Sequence, residues 1–293
     1  MKRLLLIMNP CAGKGGAKHF LFDLCNGLCA QQFHVEVCIT QRKQHACDYI
    51  MEHGDTYDQI VCLGGDGTWN EVITGTMHLH RKPILAYLPT GTVNDFANTL
   101  NLSKDPTKVL EAIEKNKPEP IDIGQFNQRY FTYVAAFGMF TEISYSTPQS
   151  NKNILGKVAY FLEGIKQLAH ITYYSLQLQT SMQSIEGDFI FGCITNTRYL
   201  GGFQSLTKDY AHLDDGLFEV LLIKMPNNLL DLQIIIASLL KREINTDWMI
   251  FLKTNYIKID STSSIPWTLD GEDGGSFTNA VIENRMHAVQ IIK

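Results

Sequence analysis

Gly64-Gly65-Asp66-Gly67-Thr68-Trp69-Asn70-Glu71 follows the apolar run Gln59–Leu63 and opens a stretch with helical spacing, so the chain must turn there from strand to helix through a glycine-dense loop. Such a loop lets backbone N–H groups approach an anion closely, and the helix behind it adds its positive N-terminal end. A nucleotide phosphate meets both conditions. A tight turn alone would need the glycines but not Asp66 and Thr68 among them. A carboxylate beside a polyphosphate repels it unless a cation lies between, so Asp66 implies Mg²⁺ held directly or through water. Phosphoryl transfer is the chemistry this combination serves.

The first part of the chain alternates in the βαβ manner. Strands are expected at Arg3–Met8, His34–Thr40, Gln59–Leu63 and Ile84–Leu88, and helices at Gly16–Gln32, Thr68–Met77 and Pro106–Asn116. This alternation predicts a Rossmann-like parallel sheet covered on both faces, with ligands beyond the carboxyl ends of its strands. Three of those ends run into polar loops: Asn9-Pro10-Cys11-Ala12-Gly13-Lys14-Gly15, the Gly64 cluster, and Pro89-Thr90-Gly91-Thr92-Val93-Asn94-Asp95. The first lacks the spacing and the Ser/Thr of a Walker loop, although Lys14 is placed to meet a phosphate. In the third, hydroxyls, a glycine and a carboxylate at the same sheet edge suit a second phosphate or metal contact, while Asn94 or Asp95 also suits a helix cap. Trp69 reads as a packing residue.

After Lys117-Pro118-Glu119-Pro120 the pattern changes to short β-rich runs, Ile121–Phe126, Arg129–Ala136, Tyr173–Thr180, Asp188–Thr195, Leu217–Ile223 and Tyr256–Ser261, with helical stretches at Ile154–His170 and Asn228–Leu240. The expectation is an N-terminal α/β nucleotide domain over 1–120, which residues 286–293 can complete by a returning strand, and an all-β sandwich over 121–285. His212-Leu213-Asp214-Asp215-Gly216-Leu217 has the chemistry of a turn. Trp267 to Gly275 ends an apolar segment in an acidic turn, Asp270-Gly271-Glu272-Asp273. It reads equally as a solvated hairpin tip and as a base with a cation holder facing ATP.

A net charge of −5 over 293 residues, with basic residues scattered, excludes a polyanion footprint and hence nucleic acid as the main partner. Seven cysteines without a CxxC pair read as reduced, buried thiols of a cytosolic protein. The longest apolar stretch, Leu229 to Leu240, contains Asp231 and Gln233 and is too short to span a bilayer.

Taken together, Gly64 to Glu71, Pro89-Thr90-Gly91-Thr92-Val93-Asn94-Asp95-Phe96-Ala97, Leu213 to Leu217 and Asp270-Gly271-Glu272 resemble the diacylglycerol kinase catalytic-domain family of lipid kinases, in the family's order and over essentially the whole length. NAD kinases share the first loop but not the second. The resemblance implies an α/β nucleotide domain, a β-sandwich and ATP bound in the cleft. It implies ATP contacts from Asn9, Pro10, Cys11, Ala12, Gly13, Thr40, Gly64, Gly65, Asp66, Gly67, Thr68, Trp69, Asn70 and Thr92, and a water-linked network from Asp66 and Asp95 to Mg²⁺. It further implies a structural Mg²⁺ at Asp215 with the main-chain carbonyls of His212 and Leu217. Glu272 matches the proton acceptor and Asp270 a second essential carboxylate, with the base left open between the two. The implied reaction is transfer of the γ-phosphoryl group of ATP to a lipid hydroxyl, most simply diacylglycerol to phosphatidic acid, in the cytoplasm at the inner membrane surface. Tyr130 to Phe140 and Ile154 to Ile171 are rich enough in apolar residues to line an acyl pocket, although a core role suits most of them better. Exposed sandwich edges offer a route to a homodimer. The rival readings are phosphorylation of a ribose hydroxyl in the manner of an NAD kinase, and a nucleotide-binding module without catalysis.

Overall fold

The computed structural model describes residues 1–15, 17–139, 171–200, 203–204 and 209–293. Alternation of side chains along the first strand, β1 (Lys2–Met8), sets the layering. Leu4, Leu6 and Met8 point to one apolar cluster and Leu5 and Ile7 to another, so both faces of the strand are buried. The first cluster is closed by Leu24 and Leu28 of α1 (Lys18–Ala30), and by Val109 and Ile113 of α5, introduced below. After β2 (Phe33–Ile39) and α2 (His45–His53) come β3 (Gln59–Gly64) and α3 (Asp66–Met77). Ile50 of α2 and Trp69, Val72 and Ile73 of α3 close the second cluster.

Strand β4 (Ile84–Pro89) leads through a loop to the short α4 (Asp95–Thr99), and α5 (Pro106–Lys115) follows. The start of α5 is fixed by proline in its first turn and by Asp105, whose carboxylate accepts the Thr107 N–H at 2.9 Å. The parallel order is β4-β3-β1-β2. Met8 pairs with both Leu63 and Ile39, and Gly64 pairs with Pro89, so all four strands end at one level. Register therefore delivers four loops to one edge.

The rest of the chain is rich in strands. These are β5 (Pro118–Phe126), β6 (Arg129–Phe131), β7 (Val134–Gly138), β8 (Tyr174–Thr180), β9 (Ser184–Thr195), the pair β10 (Tyr199–Leu200) and β11 (Phe203–Gln204), and β12 (Phe218–Lys224). After α6 (Leu229–Lys241), capped by the Asn228 side chain, come β13 (Met249–Thr254), β14 (Tyr256–Leu269) and β15 (Glu272–Ile292). A core of Phe126, Phe131, Phe137, Phe189, Phe218 and Trp267 lies among them. Strand β15 joins the two parts. It starts against β14, continues along β5, and ends parallel to β4 through Ile291 and Ile292, which draws thirteen strands of the described residues into one hydrogen-bonded sheet.

Three expectations change. The single strand Arg129–Ala136 is two, β6 and β7, because the intervening N–H groups turn to a side chain rather than to a neighbouring strand. Strand β13 and most of β15 were not expected; in β15 polar and apolar residues are mixed, whereas β13 is the short apolar run Met249–Leu252 followed by Lys253 and Thr254. Of the seven free cysteines, Cys38, Cys47, Cys62 and Cys193 are buried, but Cys11 and Cys29 are exposed. The described part of the aromatic stretch from Tyr130 is largely core, including Phe131, Tyr133 and Phe137. Phe140, Ile154–His170 and the helix expected there fall outside the described residues.

Beside β12 lies a partly buried charge cluster. Lys253 Nζ is 2.7 Å from Asp215 Oδ2, 3.2 Å from Glu219 Oε1 and 2.8 Å from the Tyr210 carbonyl. Glu219 is fully buried, and burial pushes its carboxyl up to about 7 against the pull of Lys253. Removing one partner of such a pair leaves the other uncompensated. Lys253→Met therefore lowers stability by about 3 kcal/mol, and adding Glu219→Leu restores most of the loss, as read by thermal denaturation.

Candidate functional site

The four strand ends meet through their backbones. Asn9 N–H donates to the Leu63 carbonyl at 3.0 Å, Thr40 N–H to Met8 at 2.9 Å and Thr90 N–H to Gly64 at 2.7 Å. Asn9 also ties the first loop to α3, since its Nδ2 donates to Thr68 Oγ1 at 2.9 Å while its Oδ1 accepts the Cys11 N–H at 2.9 Å. Pro10 and Cys11 lead into a short 3₁₀ turn over Ala12–Gly15. At Gly13, with φ +55°, a Cβ would stand 1.8 Å from the Thr90 carbonyl oxygen, and at Gly65 it would stand 3.2 Å from the Gly91 Cα. Only backbones without side chains pack this closely. The first, third and fourth loops are thereby fused into one surface around the N-terminus of α3. Gly65 occupies the cap position of that helix and brings no side chain to its first N–H groups. The side chain of Lys14 lies outside the description.

Asp66 opens α3 at the centre of this surface. Its carboxylate accepts the N–H groups of Asn94 and Asp95, while its Oδ1 is buried without a hydrogen-bond partner. Burial, then the charge of nearby Asp95, push the Asp66 carboxyl up to about 7. Asp95 itself is almost wholly buried. Two close carboxylates, one with an orphaned oxygen, suit a divalent cation. Among the described residues no cluster of three or more His, Cys, Asp or Glu side chains could hold a metal ion. Two carboxylates are what Mg²⁺ takes when substrate phosphates and water complete its shell.

Thr92 is exposed on the fourth loop, and Thr40 is buried at the end of β2. The Trp69 side chain is fully buried, stacked on Tyr87 with centroids 4.7 Å apart and tilted against Phe96 at 5.3 Å. It fastens α3 to β4 and α4, so any contact of this residue with a nucleotide falls to its main chain.

The acidic turn reaches the same place from the other part of the chain. Asp270 and Gly271 have φ of 50° and 79° and form the two-residue hairpin between β14 and β15. Asp270 Oδ2 accepts Asn70 Nδ2 at 2.7 Å, Thr132 N–H at 2.6 Å and Thr132 Oγ1 at 2.8 Å, and Oδ1 accepts the N–H groups of Tyr133 at 2.9 Å and Val134 at 3.0 Å. These are the donors that part β6 from β7. Burial pushes the Asp270 carboxyl up, and the Thr132, Val134 and Tyr133 donors pull against it. Glu272, two residues on, is half-exposed. Its Oε2 pairs with Lys43 Nζ at 2.8 Å, and its Oε1 lies 3.6 Å from where a Cβ of Gly67 would stand. The turn thus places one carboxylate inside a hydrogen-bond cage and another over the first turn of α3.

The 212–217 turn is separate from this group. Asp215 Oδ1 accepts the Leu217 N–H at 3.0 Å and Oδ2 pairs with Lys253, so both oxygens have partners and Lys253 supplies the facing positive charge. His212 is exposed. A cation held by Asp215 with the His212 and Leu217 carbonyls would share Asp215 with Lys253. Gly201-Gly202 falls outside the described residues.

Lys43 was not singled out from sequence, and Glu71 reads there only as the end of the glycine motif, in a cap or first-turn role. Glu71 accepts the N–H groups of Gln44 at 2.8 Å and Ala46 at 3.1 Å, binding the β2–α2 loop to α3. The available signal was that β2, like the other three strands, ends in a polar loop at the same edge.

Asp66 gives a pH-dependent expectation. Its folded value near 7 lies above the ordinary aspartate value near 3.9. The folded state then binds the proton more tightly, and the penalty for ionising it appears as pH rises through that range. In chelator, Asp66→Asn raises Tm by about 2–4 °C at pH 8, the equivalent of roughly 1 kcal/mol, and leaves it unchanged at pH 3.

The diacylglycerol kinase catalytic domain model matches residues 3–126. The diacylglycerol kinase of Bacillus subtilis (strain 168) is 30% identical over 292 residues, covering 98% of this chain and 95% of that protein. That of Staphylococcus carnosus (strain TM300) is 31% identical over 291 residues, covering 98% and 94%. A solved structure from Bacillus anthracis str. Sterne superposes with a TM-score of 0.81 at 26% identity, covering 99% of this chain and 96% of that one. A second, of a diacylglycerol kinase from the same strain, has a TM-score of 0.76 at 24% identity and shows likeness of fold, over 99% and 96%. Likeness of this degree along nearly the whole length places the chain in the diacylglycerol kinase family.

Proposed function

We propose that the chain, as an ATP-dependent lipid kinase, transfers the γ-phosphoryl group of ATP to the free hydroxyl of diacylglycerol, giving phosphatidic acid and ADP. The observation that carries this reading is the meeting of the fused loops around the α3 N-terminus with the Glu272 carboxylate, 3.6 Å from the Cβ position of Gly67. Phosphates at that N-terminus would lie among Asn9–Gly13, Thr40, Gly64–Asn70 and Thr92, facing the N–H groups that open the first turn of α3. Asp66 and Asp95 would hold Mg²⁺, whose chemistry there is to neutralise charge on the phosphates.

The roles of the two hairpin carboxylates follow from their partners. Both oxygens of Asp270 are occupied by donors, which makes it a positioning residue. Glu272 is the group placed to take the acceptor proton as the hydroxyl oxygen bonds to phosphorus and the bond to the ADP oxygen breaks. Residues 1–120 with 286–293 would hold the nucleotide, and 121–285 the lipid. We place the lipid's entry at a membrane surface. No helix among the described residues is long and apolar enough to cross a membrane.

The test uses purified protein, γ-labelled ATP and Mg²⁺ with diacylglycerol in mixed micelles, and NAD in a parallel tube. Label is expected in phosphatidic acid, with kcat lower by about 10²–10⁴-fold in Glu272→Gln. Label in NADP, or in neither acceptor, overturns the reading.

A further inference from the structure

The β2–α2 loop holds a cation whose placement the site described above does not explain. Lys43 Nζ lies 2.8 Å from Glu272 Oε2, and the other oxygen of that carboxylate faces Gly67 in the first turn of α3. The ammonium is thereby one carboxylate away from the helix N-terminus at which phosphates are expected. Its loop is held in place. Gln44 takes φ 65°, the Gln44 and Ala46 N–H groups are bound by Glu71 one turn along α3, and the Gln41 N–H donates to His45 Nδ1 at 3.1 Å. Neighbouring Arg42 pairs with Asp48 of α2 at 2.8 Å, which leaves Lys43 as the basic side chain that this loop turns toward the acidic group.

Charge supplies the second strand of the argument. Asp66, Asp95, Glu71 and Glu272 gather around the start of α3. Glu71 is raised by burial, and it feels Glu272 as a repulsion and Lys43 as an attraction. A polyphosphate entering such surroundings meets like charge on several sides. The helix end offsets part of this, and a divalent cation held by Asp66 and Asp95 would offset more. On the side of Glu272 the structure places Lys43. Lysine suits an exchange of partners, being a compact point charge with three donors on a flexible stem. With its side chain 68% exposed, it moves without breaking the core.

We propose that Lys43 is a ligand of the terminal phosphate: when a nucleoside triphosphate binds, the ammonium passes from Glu272 to the γ-phosphate oxygens. The carboxylate is then released toward the acceptor hydroxyl. Base availability is in this way coupled to nucleotide occupancy. No bond is made or broken in the exchange, and Lys43 keeps its proton throughout. The second half of the proposal rests on Glu272 as proton acceptor; the phosphate contact does not.

Calorimetric binding of ATP, ADP and AMP with Mg²⁺, in the absence of lipid, separates the cases. Lys43→Met is expected to weaken ATP about tenfold, ADP less and AMP not at all, with Lys43→Arg recovering most of the ATP affinity. An exposed ion pair contributes little to folding, so the variant's Tm should match the parent's. Unchanged ATP affinity, or a loss for AMP as large as for ATP, overturns the phosphate contact. Turnover by Glu272→Gln near the parent rate overturns the base reading instead and leaves the ATP–ADP–AMP gradient to decide the role of Lys43.

Discussion

The Asp270 carboxylate fastens the strand-rich part of the molecule to the first turns of helix α3. Three consecutive N–H groups, a hydroxyl and the Asn70 amide converge on its two oxygens, and Asn70 is the contribution of α3. Burying a carboxylate is costly unless its lone pairs are satisfied, and five donors satisfy them. The geometry then follows. Thr132 and Tyr133 leave the strand ladder to serve Asp270, which ends β6 and starts β7. The hairpin tip is pinned against α3, and Glu272 comes to rest over Gly67. Without the cage, the tip would be a solvated turn and Glu272 would have no fixed position.

The same edge of the sheet is assembled against electrostatic preference. Asp66 and Asp95 stand close together in a partly dry site, and Asp66 Oδ1 has no hydrogen-bond partner among the described residues to offset its burial. A protein selected for stability alone would hold an amide there. Keeping two carboxylates makes the free state less stable and, under the proposed function, would give a cation and its polyphosphate more to gain on binding. Backbone packing at Gly13 and Gly65 works to the same end, because loops fused through their main chains cannot relax away from one another to relieve the repulsion.

Local pattern made much of this readable. The four parallel strands, the helices at α3 and α5 and the convergence of loops all follow from periodicity and glycine placement within short windows of sequence. What escaped the sequence depends on contacts across long separations. Asn70 and Asp270 are two hundred positions apart, and nothing near Thr132 shows that its N–H is owed to a side chain rather than to a strand. Strand β15 was visible only at its apolar end, since its middle serves as a bridge between β14 and β5 with one face half-exposed. Lys43 was hidden for a similar reason: a lysine in a polar loop has no periodicity, and its meaning comes from its pairing with Glu272, far away in sequence.

From sequence alone, Asp270 and Glu272 are interchangeable as a base, being two carboxylates in one turn. Partner count separates them. A general base needs an oxygen that can reach the proton and a charge that the surroundings do not already spend. Asp270 meets neither requirement, since both of its oxygens are filled by donors that fold the hairpin itself. Glu272 meets the first by its exposure, and its charged partner is an exposed lysine rather than a fixed amide. The division of labour within three residues is therefore between a carboxylate that builds the turn and one that the turn presents. An Asp-to-Asn change at 270 would disturb the cage before it disturbed the chemistry, whereas Glu-to-Gln at 272 removes a charge and leaves the turn intact.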